Sequence, residues 1–352
     1  MSEPTVDLQA LAQKAGIAPE YVVPYGREVA KIELGALGSK EQKARYVVVT
    51  ATSPTPFGEG KTTTAIGLVQ GMAKIDRNAV LTIRQPAQGP VFGIKGGANG
   101  NGASQVEPAT LINLHLTGDF HAITAAHNLL SAIIDNHLYQ GNELEIEERS
   151  ITWPRVLDVN DRALRHIVTG LGGRIDGVTR QSSFDITPAS EVMVIMSLAT
   201  SLKDLRERLG RIVIGRSKSG KWITAEDLQA AGAMTALLRD ALQPNLLRTS
   251  ENTPVLIHTG PFGNIATGCS SVVADLIAAQ HADYVVTEAG FGADMGAERF
   301  FDLKCAVSGL RPHAAVLVTT VRSLKSPSGT FKITAGKGLP EQMLAESHQD
   351  VR

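Results

Sequence analysis

The most informative part of the sequence is the stretch 47–72, which reads VVVTATSPTPFGEGKTTTAIGLVQGM. It opens with a continuous run of β-branched apolar residues, which is typical of a strand buried on both faces of a parallel sheet. A turn rich in proline and glycine follows, and then apolar residues recur at helical spacing. A strand, a turn and a helix N-terminus in this order present backbone N–H groups and the positive end of a helix dipole. The stretch therefore predicts a binding loop for a polyphosphate.

The loop ends with Gly60, Lys61 and Thr62, and a P-loop ends with the same kinds of residue. In that pattern the lysine reaches the β- and γ-phosphates, and the next hydroxyl completes the shell of a Mg²⁺ ion. Thr55 stands where the pattern has its first glycine, although the preceding strand and the following helix are both present. The alternative is a glycine-rich turn that only starts a helix and leaves Lys61 in solvent.

Further short apolar runs have the composition of buried parallel strands, and helical segments lie between most of them. The first predicted strand covers residues 46–50. The further runs cover residues 79–83, 255–258, 284–287 and 315–320. The alternation of strands and helices predicts an α/β protein. Its sheet is expected to be mostly parallel, doubly wound and of P-loop NTPase type, with a smaller inserted subdomain.

Changes in composition divide the chain into four segments. Residues 1–141 form the predicted P-loop nucleotide-binding segment, which includes a second, glycine-rich loop. Residues 142–243 are more polar and form the predicted insertion, residues 244–325 continue the sheet, and residues 326–352 form a truncated or irregular tail. Within the insertion, two pairs resemble capping boxes and predict helix starts, namely Ser201 with Asp204 and Thr224 with Asp227.

The charge balance argues against several classes of partner. Lysine and arginine number 34 against 35 acidic residues, so the net charge of −1 gives no global attraction to nucleic acid or to an anionic membrane. The longest apolar runs are far shorter than a membrane span, and the N-terminus does not resemble a signal peptide. Two cysteines are too few for a disulfide framework. We therefore expect a cytoplasmic protein without nucleic-acid or membrane partners.

Charged residues follow two of the predicted strands. Arg84 follows the strand 79–83, and ligands of open α/β sheets lie outside the carboxyl ends of strands. Its guanidinium offers a planar fork for a carboxylate or a phosphate; the alternative is a surface salt bridge. The strand 284–287 leads to Glu288 and then Asp294, either of which could hold a metal-bound water or satisfy a helix N-terminus.

Asp119 precedes a strongly amphipathic helix, so its default role is that of an N-cap, and in that position it could also touch the ligand. His121 and His127 are six residues apart, about 120° around a helix, and do not form the i, i+4 pair of a metal site. Together with His115 they are interpreted as core or surface histidines. In the second loop, whose glycine-rich part reads GGANGNG at residues 96–102, Lys95 and its apolar neighbours indicate an ordered binding segment.

Six segments between residues 25 and 325 resemble formate–tetrahydrofolate ligases in order and spacing. They read TPFGEGKTTTAIGLVQ, RQPAQGPVFGIKGG, NLHLTGDFHAITAAHNLL, RVLDVNDRALRHIVTGLGG, FDITPASEVM and DYVVTEAGFGADMGAE. The resemblance implies ATP-dependent ligation of formate to tetrahydrofolate through formyl phosphate, which gives 10-formyltetrahydrofolate for one-carbon metabolism. It also implies a response to monovalent cations, and we expect Mg²⁺ as a cofactor and a homo-oligomer.

Carried onto this sequence, the resemblance makes Lys61 and Arg84 the catalytic residues, which hold formyl phosphate. Asp119 would help to bind the nucleotide, and Lys95 would line the reaction pocket. Thr62 and Glu288 complete the prediction as metal-binding residues. The residues implied for the ATP loop are Thr55, Pro56, Phe57, Gly58, Glu59, Gly60, Lys61 and Thr62. Two anions must meet in this reaction, which requires cations and N–H donors directed at the transferring phosphoryl group.

The resemblance also implies a family chain that is longer by roughly two hundred residues, the size of a further domain. That part would contribute the aromatic platforms for adenine and folate. Two alternatives remain at this point. One is a different P-loop ATPase or carboxylate-activating synthetase, and the other is a degenerate or fragmentary nucleotide-binding subunit that has little activity alone.

Overall fold

The computed structural model describes residues 6–38, 41–52, 58–93, 97, 99–326 and 340–344. Four of the predicted site residues lie outside these ranges, namely Thr55, Pro56, Phe57 and Lys95, as does most of the predicted tail. In the described part of the chain, no helix is both long enough and apolar enough to cross a membrane.

The strands of the described residues include all five that the sequence predicts. They are β1 (Val22–Tyr25), β2 (Val29–Ile32), β3 (Arg45–Ala51), β4 (Ala79–Ile83), β5 (Gly100–Asn101), β6 (Ser104–Glu107), β7 (Arg155–Leu157), β8 (Ile167–Thr169), β9 (Arg180–Ser182), β10 (Phe184–Ile186), β11 (Val213–Arg216), β12 (Trp222–Thr224), β13 (Asn245–Thr249), β14 (Pro254–Ile257), β15 (Tyr284–Glu288) and β16 (Ala314–Val318).

The longest helices follow β3 and precede the polar region after residue 141. The helices are α1 (Leu8–Lys14), α2 (Lys61–Lys74), α3 (Gln88–Val91), α4 (Ala109–Asn113), α5 (Asp119–Tyr139), α6 (Glu191–Leu198), α7 (Leu202–Gly210), α8 (Ala231–Leu238), α9 (Val272–His281), α10 (Ala306–Ser308), α11 (Val321–Lys325) and α12 (Glu341–Leu344). Two π-helical segments, Ala293–Ala297 and Phe300–Cys305, lead into α10.

Five strands of the large sheet are parallel, in the order β14, β4, β15, β3 and β16. Beyond β14 the order continues with β13, β2 and β1, and these strands pair antiparallel, as β6 does with β13. The predicted α/β class is confirmed, but the sheet is mixed rather than mostly parallel. The short turn between β13 and β14 explains the difference, because a tight hairpin can join only antiparallel strands.

Apolar side chains of β3 fill the core on both faces of the sheet. Tyr46 and Val48 pack with α9 and Phe300 in one cluster. Val49 packs with Ile66 of α2 in another cluster. Successive residues of a strand point to opposite faces, so a strand that is covered on both sides is almost continuously apolar. This burial accounts for the unbroken apolar run with which the informative stretch begins.

Residues 142–243 pair their strands with one another, β7 with β10, β8 with β9 and β11 with β12. Their helices α6, α7 and α8 pack with α5 in a third apolar cluster. The hydroxyl of Ser201 accepts the N–H of Asp204 at the start of α7, as predicted. Thr224 and Asp227 also form their reciprocal hydrogen bonds, but they close a turn, and α8 begins only at Ala231. The boundaries of the insertion stay a prediction.

A buried ion pair connects β3, α9 and the second π-helical segment. Lys304 Nζ lies 2.5 Å from Asp275 Oδ2, and the hydroxyl of Tyr46 donates to the same carboxylate. All three side chains are at most 1% exposed. Burial, followed by the Asp275 carboxylate, raises the pKa of Tyr46 well above its usual value, so this hydroxyl remains a donor. The three groups therefore hold one another inside the apolar core.

We expect Lys304→Ala to lower the free energy of unfolding by about 3–5 kcal/mol, because it leaves the Asp275 carboxylate without its cation in the interior. Urea denaturation measures this loss. Lys203→Ala is the matched control, since the Lys203 ammonium is exposed and lies 4.0 Å from Glu207 Oε1. Exposed pairs contribute at most about 1 kcal/mol. Equal, small losses in both variants would show that the buried pair does not stabilise the fold.

Candidate functional site

The N-terminus of α2 lies at the carboxyl end of β3 and forms the centre of the candidate site. Gly58 and Gly60 have φ angles of 73° and 83°, in the left-handed region that glycine adopts at little cost. Gly60 is the N-cap, and the N–H of Thr64 donates to its carbonyl at 2.9 Å. The N–H groups of Lys61 and Thr62 precede this first helical hydrogen bond. They and the helix dipole favour an anion at this position.

Glu288 is the last residue of β15, and it lies beside the start of α2. Its Oε2 accepts a hydrogen bond from the hydroxyl of Thr62 at 2.7 Å, and its side chain is buried. The fold thus brings together the two predicted metal-binding residues, whereas Asp294 is exposed in the first π-helical segment. Within the described ranges, no cluster of three or more His, Cys, Asp or Glu side chains is placed to hold a metal ion. One hydroxyl and one carboxylate are a donor set that suits a largely hydrated Mg²⁺.

Arg84 follows β4, the strand on the other side of β15. Its Nη1 donates to the carbonyl of Pro261 at 3.1 Å, and its buried Nε has no hydrogen-bond partner among the described residues. A Cβ atom at Gly290 would lie 3.0 Å from Arg84 Nη2 and 2.8 Å from the carbonyl oxygen of Gly268. Glycine at position 290 therefore lets the guanidinium approach the backbone that follows β15.

A contact that the sequence does not predict joins the predicted polyphosphate loop to the start of α11. The hydroxyl of Thr320 donates to Glu59 Oε2, and Arg322 Nη2 donates to the carbonyl of Gly58. Thr320 is the N-cap of α11 and follows β16, which pairs with β3. In the sequence, only the position of Thr320 after the fifth predicted strand could have indicated this contact. These contacts fix the loop from the side opposite Glu288.

Several buried polar atoms at this edge of the sheet have no hydrogen-bond partner in the described part of the chain. They are Thr50 Oγ1, Glu59 Oε1, Arg84 Nε, Gln85 Oε1, Thr259 Oγ1 and Thr267 Oγ1. A buried group of this kind costs about 1–3 kcal/mol. Thr259 also has a φ of 52°, which is unusual for a β-branched residue. Unsatisfied groups and backbone strain persist mainly at functional sites, so they support a ligand position here.

Asp119 is not the N-cap of α5. Gly118 holds that position with a φ of 86°, and Asp119 is the first helical residue. Its carboxylate lies 2.6 Å from Lys31 Nζ and accepts a hydrogen bond from Asn245 Nδ2 at 2.7 Å. The predicted capping role is therefore wrong, because Oδ1 pairs with Lys31, Oδ2 accepts from Asn245, and Gly118 is the N-cap. A contact with the nucleotide stays a prediction.

The three histidines agree with their interpretation as core or surface residues. His115 and His121 are exposed and contact each other, with 2.7 Å between Nδ1 and Nε2. His127 is buried and stacks on Trp153, with ring centroids 4.1 Å apart. Burial lowers the pKa of His127 to about 4, against the opposing effect of its hydrogen bond to the Pro154 carbonyl. His127 is therefore neutral at physiological pH.

These features define an α/β protein with a site for an anionic ligand at the carboxyl ends of its parallel strands. The model of the formate–tetrahydrofolate ligase family matches residues 2–351, and the chain belongs to that family. The formate–tetrahydrofolate ligases of Saccharopolyspora erythraea and Cutibacterium acnes are 62% identical to it over 346 residues. A relative from Roseiflexus sp. is 57% identical over the same number of residues. The match covers 98% of this chain but only 61% to 62% of these relatives' length.

We expect Gly290→Ala to lower the free energy of unfolding by about 1–3 kcal/mol, because the new methyl group overlaps the Gly268 carbonyl and crowds Arg84. Gly71→Ala is the matched control, since a Cβ there meets nothing within 4 Å. That change lies within α2 and should raise the stability by about 0.5–1 kcal/mol. Denaturant unfolding of both variants measures the difference. A neutral or stabilising effect at position 290 would contradict the close approach.

Proposed function

We propose that this chain takes part in the ATP-dependent ligation of formate to tetrahydrofolate, giving 10-formyltetrahydrofolate through formyl phosphate. The observation that carries this proposal is that Glu288 ends β15, that Arg84 directly follows the neighbouring strand β4, and that Thr62 at the start of α2 contacts Glu288, in a chain of this family. We extend the proposal to a fold of P-loop NTPase type, because the helix N-terminus after β3 carries Lys61.

The proposed reaction has two steps. A formate oxygen attacks the γ-phosphorus of ATP and ADP leaves, which gives formyl phosphate. The N10 amine of tetrahydrofolate then attacks the formyl carbon, and inorganic phosphate leaves with loss of the amine proton. The amides of α2 and the Lys61 ammonium would bind the β- and γ-phosphates, and the Arg84 fork would bind formyl phosphate. Cations fixed in advance reduce the repulsion between the two anionic reactants.

Thr62 and Glu288 are the residues that would hold Mg²⁺. Their oxygens are 2.7 Å apart at the start of α2, beside the proposed position of the phosphates. A bound Mg²⁺ would supply positive charge beside the phosphates. The buried Glu288 carboxylate would orient water molecules of the metal.

The remaining parts of the proposal follow from the family. Thr55, Pro56 and Phe57 would complete the ATP loop, and Lys95 would line the pocket. Asp119 would support nucleotide binding through its contact with Lys31, and a monovalent cation would assist the reaction. We further propose a homo-oligomer in the cytoplasm. The side chains of β16 are exposed or half-buried, and Leu317 is 55% exposed, which favours contact with another surface.

The proposed function is tested by an assay of the purified chain for ADP release, with formate and tetrahydrofolate omitted in turn. Release that requires both substrates supports the ligase. Use of another carboxylate in place of formate would support a different carboxylate-activating synthetase. Nucleotide binding without turnover would support a nucleotide-binding subunit, a possibility kept open because the chain spans only 61% of the first relative's length.

We expect Lys61→Ala to weaken ATP binding by at least about 10-fold, because a charge-assisted contact to phosphate contributes about 1.5–3 kcal/mol. Lys61 is half-buried at the first position of α2, so the fold should persist. Isothermal calorimetry with MgATP measures the loss. Lys74→Ala, at the other end of the same helix, is the control and should bind ATP normally. Wild-type affinity in the Lys61 variant would remove this residue from the site.

We expect Arg84→Lys to slow formyl transfer by more than it weakens ATP binding. The change keeps the positive charge but loses the bidentate fork, which can bind two oxygens of formyl phosphate at once. Comparison of kcat/KM for formate with the calorimetric Kd for ATP separates the two effects, and we expect a difference of about 10-fold or more. Equal losses in both quantities would count against a role for Arg84 that is specific to formyl phosphate.

A further inference from the structure

Asp158, just after β7, contacts the segment that follows Arg84. Its Oδ2 accepts a hydrogen bond from the backbone N–H of Gln88 at 3.0 Å, at the first residue of α3. The side chain is 8% exposed, and its buried Oδ1 has no hydrogen-bond partner among the described residues. Residues 142–243 thus bring a carboxylate into the segment that joins Arg84 to the glycine-rich second loop.

Contacts on both sides of Gln88 and Gly89 show how closely this part of the chain is packed. A Cβ atom at Gly89 would lie 2.7 Å from Ile186 Cδ1 and 3.0 Å from Asn160 Oδ1. On the other side, Gln88 Nε2 donates to the carbonyl of Leu114 at 3.3 Å and lies 3.1 Å from His115 Nδ1. Gln88 is therefore held between the start of the predicted insertion and the turn before α5. Displacement of its backbone would shift the whole segment after Arg84.

A carboxylate is more than this contact needs for stability. An asparagine side chain has nearly the same shape and accepts the same backbone hydrogen bond without a buried charge. Burial raises the pKa of Asp158 to about 6, against the opposing effect of the Gln88 N–H. The observed partner of the carboxylate is the backbone N–H of Gln88, and among the described residues Asp158 forms no ion pair. A destabilising charge that nothing nearby neutralises indicates a use outside the fold itself.

We propose that Asp158 is a positioning residue for the proposed ligase reaction, which fixes the segment between Arg84 and the second loop through the N–H of Gln88. The reaction that Asp158 would serve is the proposed function, so this part of the inference rests on that proposal. The contact between Asp158 and Gln88 does not depend on it. A hydrogen bond to an ionised acceptor is shorter and about twice as strong as one to a neutral acceptor. The ionised carboxylate therefore holds Gln88 more firmly than an amide would, at a cost in stability.

The test compares Asp158→Asn with Asp161→Asn. Asp161 is a matched control because its carboxylate also accepts a backbone N–H, from Ala163 at 2.9 Å, but its side chain is exposed. Hydrogen exchange at residues 86–93 reports on the contact without any need for turnover. We expect exchange there to be about 10-fold faster in the Asp158 variant and unchanged in the control, as follows from losing part of a charge-assisted hydrogen bond.

Kinetics and stability provide two further measurements. We expect the Asp158 variant to raise KM for formate or tetrahydrofolate by about 10-fold while ATP affinity stays within about twofold. Because the pKa of Asp158 is raised in the folded state, its ionisation lowers stability fully above pH 6, and this cost disappears as the pH falls towards its ordinary value of 3.8. The variant should therefore be at least as stable as wild type at pH 8, with any gain lost near pH 4.

The outcomes separate the possibilities. Lower stability at pH 8 with proportional losses in every kinetic constant would reduce Asp158 to a structural cap and overturn the proposal. Unchanged exchange at residues 86–93 would also overturn it. If neither wild type nor variants turn over any substrate, the proposed function fails, whereas faster exchange with retained stability still supports the contact and its positioning of the segment.

Discussion

The backbone hydrogen bonds of β15 to β3 on one side and to β4 on the other determine where the groups of the candidate site lie. Along the chain β3 and β4 are joined directly through α2, so they could have been neighbours. With β15 between them, Glu288 reaches Thr62, and Arg84 approaches Gly290 from the opposite side. Adjacent strands are about 4.8 Å apart, which limits the whole arrangement to roughly 10 Å across. The strand order therefore assembles the site.

Two kinds of buried polar group distinguish the core from this edge. Lys304, Asp275 and Tyr46 combine opposite charges and a hydroxyl donor in one group under the sheet. At the edge, Arg84 Nε and Glu59 Oε1 lack a hydrogen-bond partner within the described residues, and in the core Asp275 Oδ1 and Lys304 Nζ lack one too. The core nevertheless pairs its two opposite charges at 2.5 Å, whereas Arg84 Nη1 donates to a neutral carbonyl, that of Pro261. The difference indicates that the edge is organised for a charged molecule that the protein binds.

The sequence predicted the parts of this site that follow from local patterns. Lys61 and Thr62 are identified by a strand, a glycine-rich turn and a helix, and Arg84 by its position after a buried strand. The contact between Thr62 and Glu288 depends on strand order, which no local pattern encodes. Asp119 was placed as an N-cap because its sequence neighbours suit that role, but its partner Lys31 lies 88 residues away. Long-range pairing of this kind is decided by tertiary packing.

The polar region at 142–243 is more closely tied to the site than its composition suggests. Its strands pair with one another, which fits a separate unit, but its helices share an apolar cluster with α5. Asp158 and Asn160 also reach the segment after Arg84, since Asp158 Oδ2 accepts the N–H of Gln88 and a Cβ atom at Gly89 would lie 3.0 Å from Asn160 Oδ1. Residues 142–243 therefore pack directly against the segment that follows Arg84, in addition to sharing a core with α5.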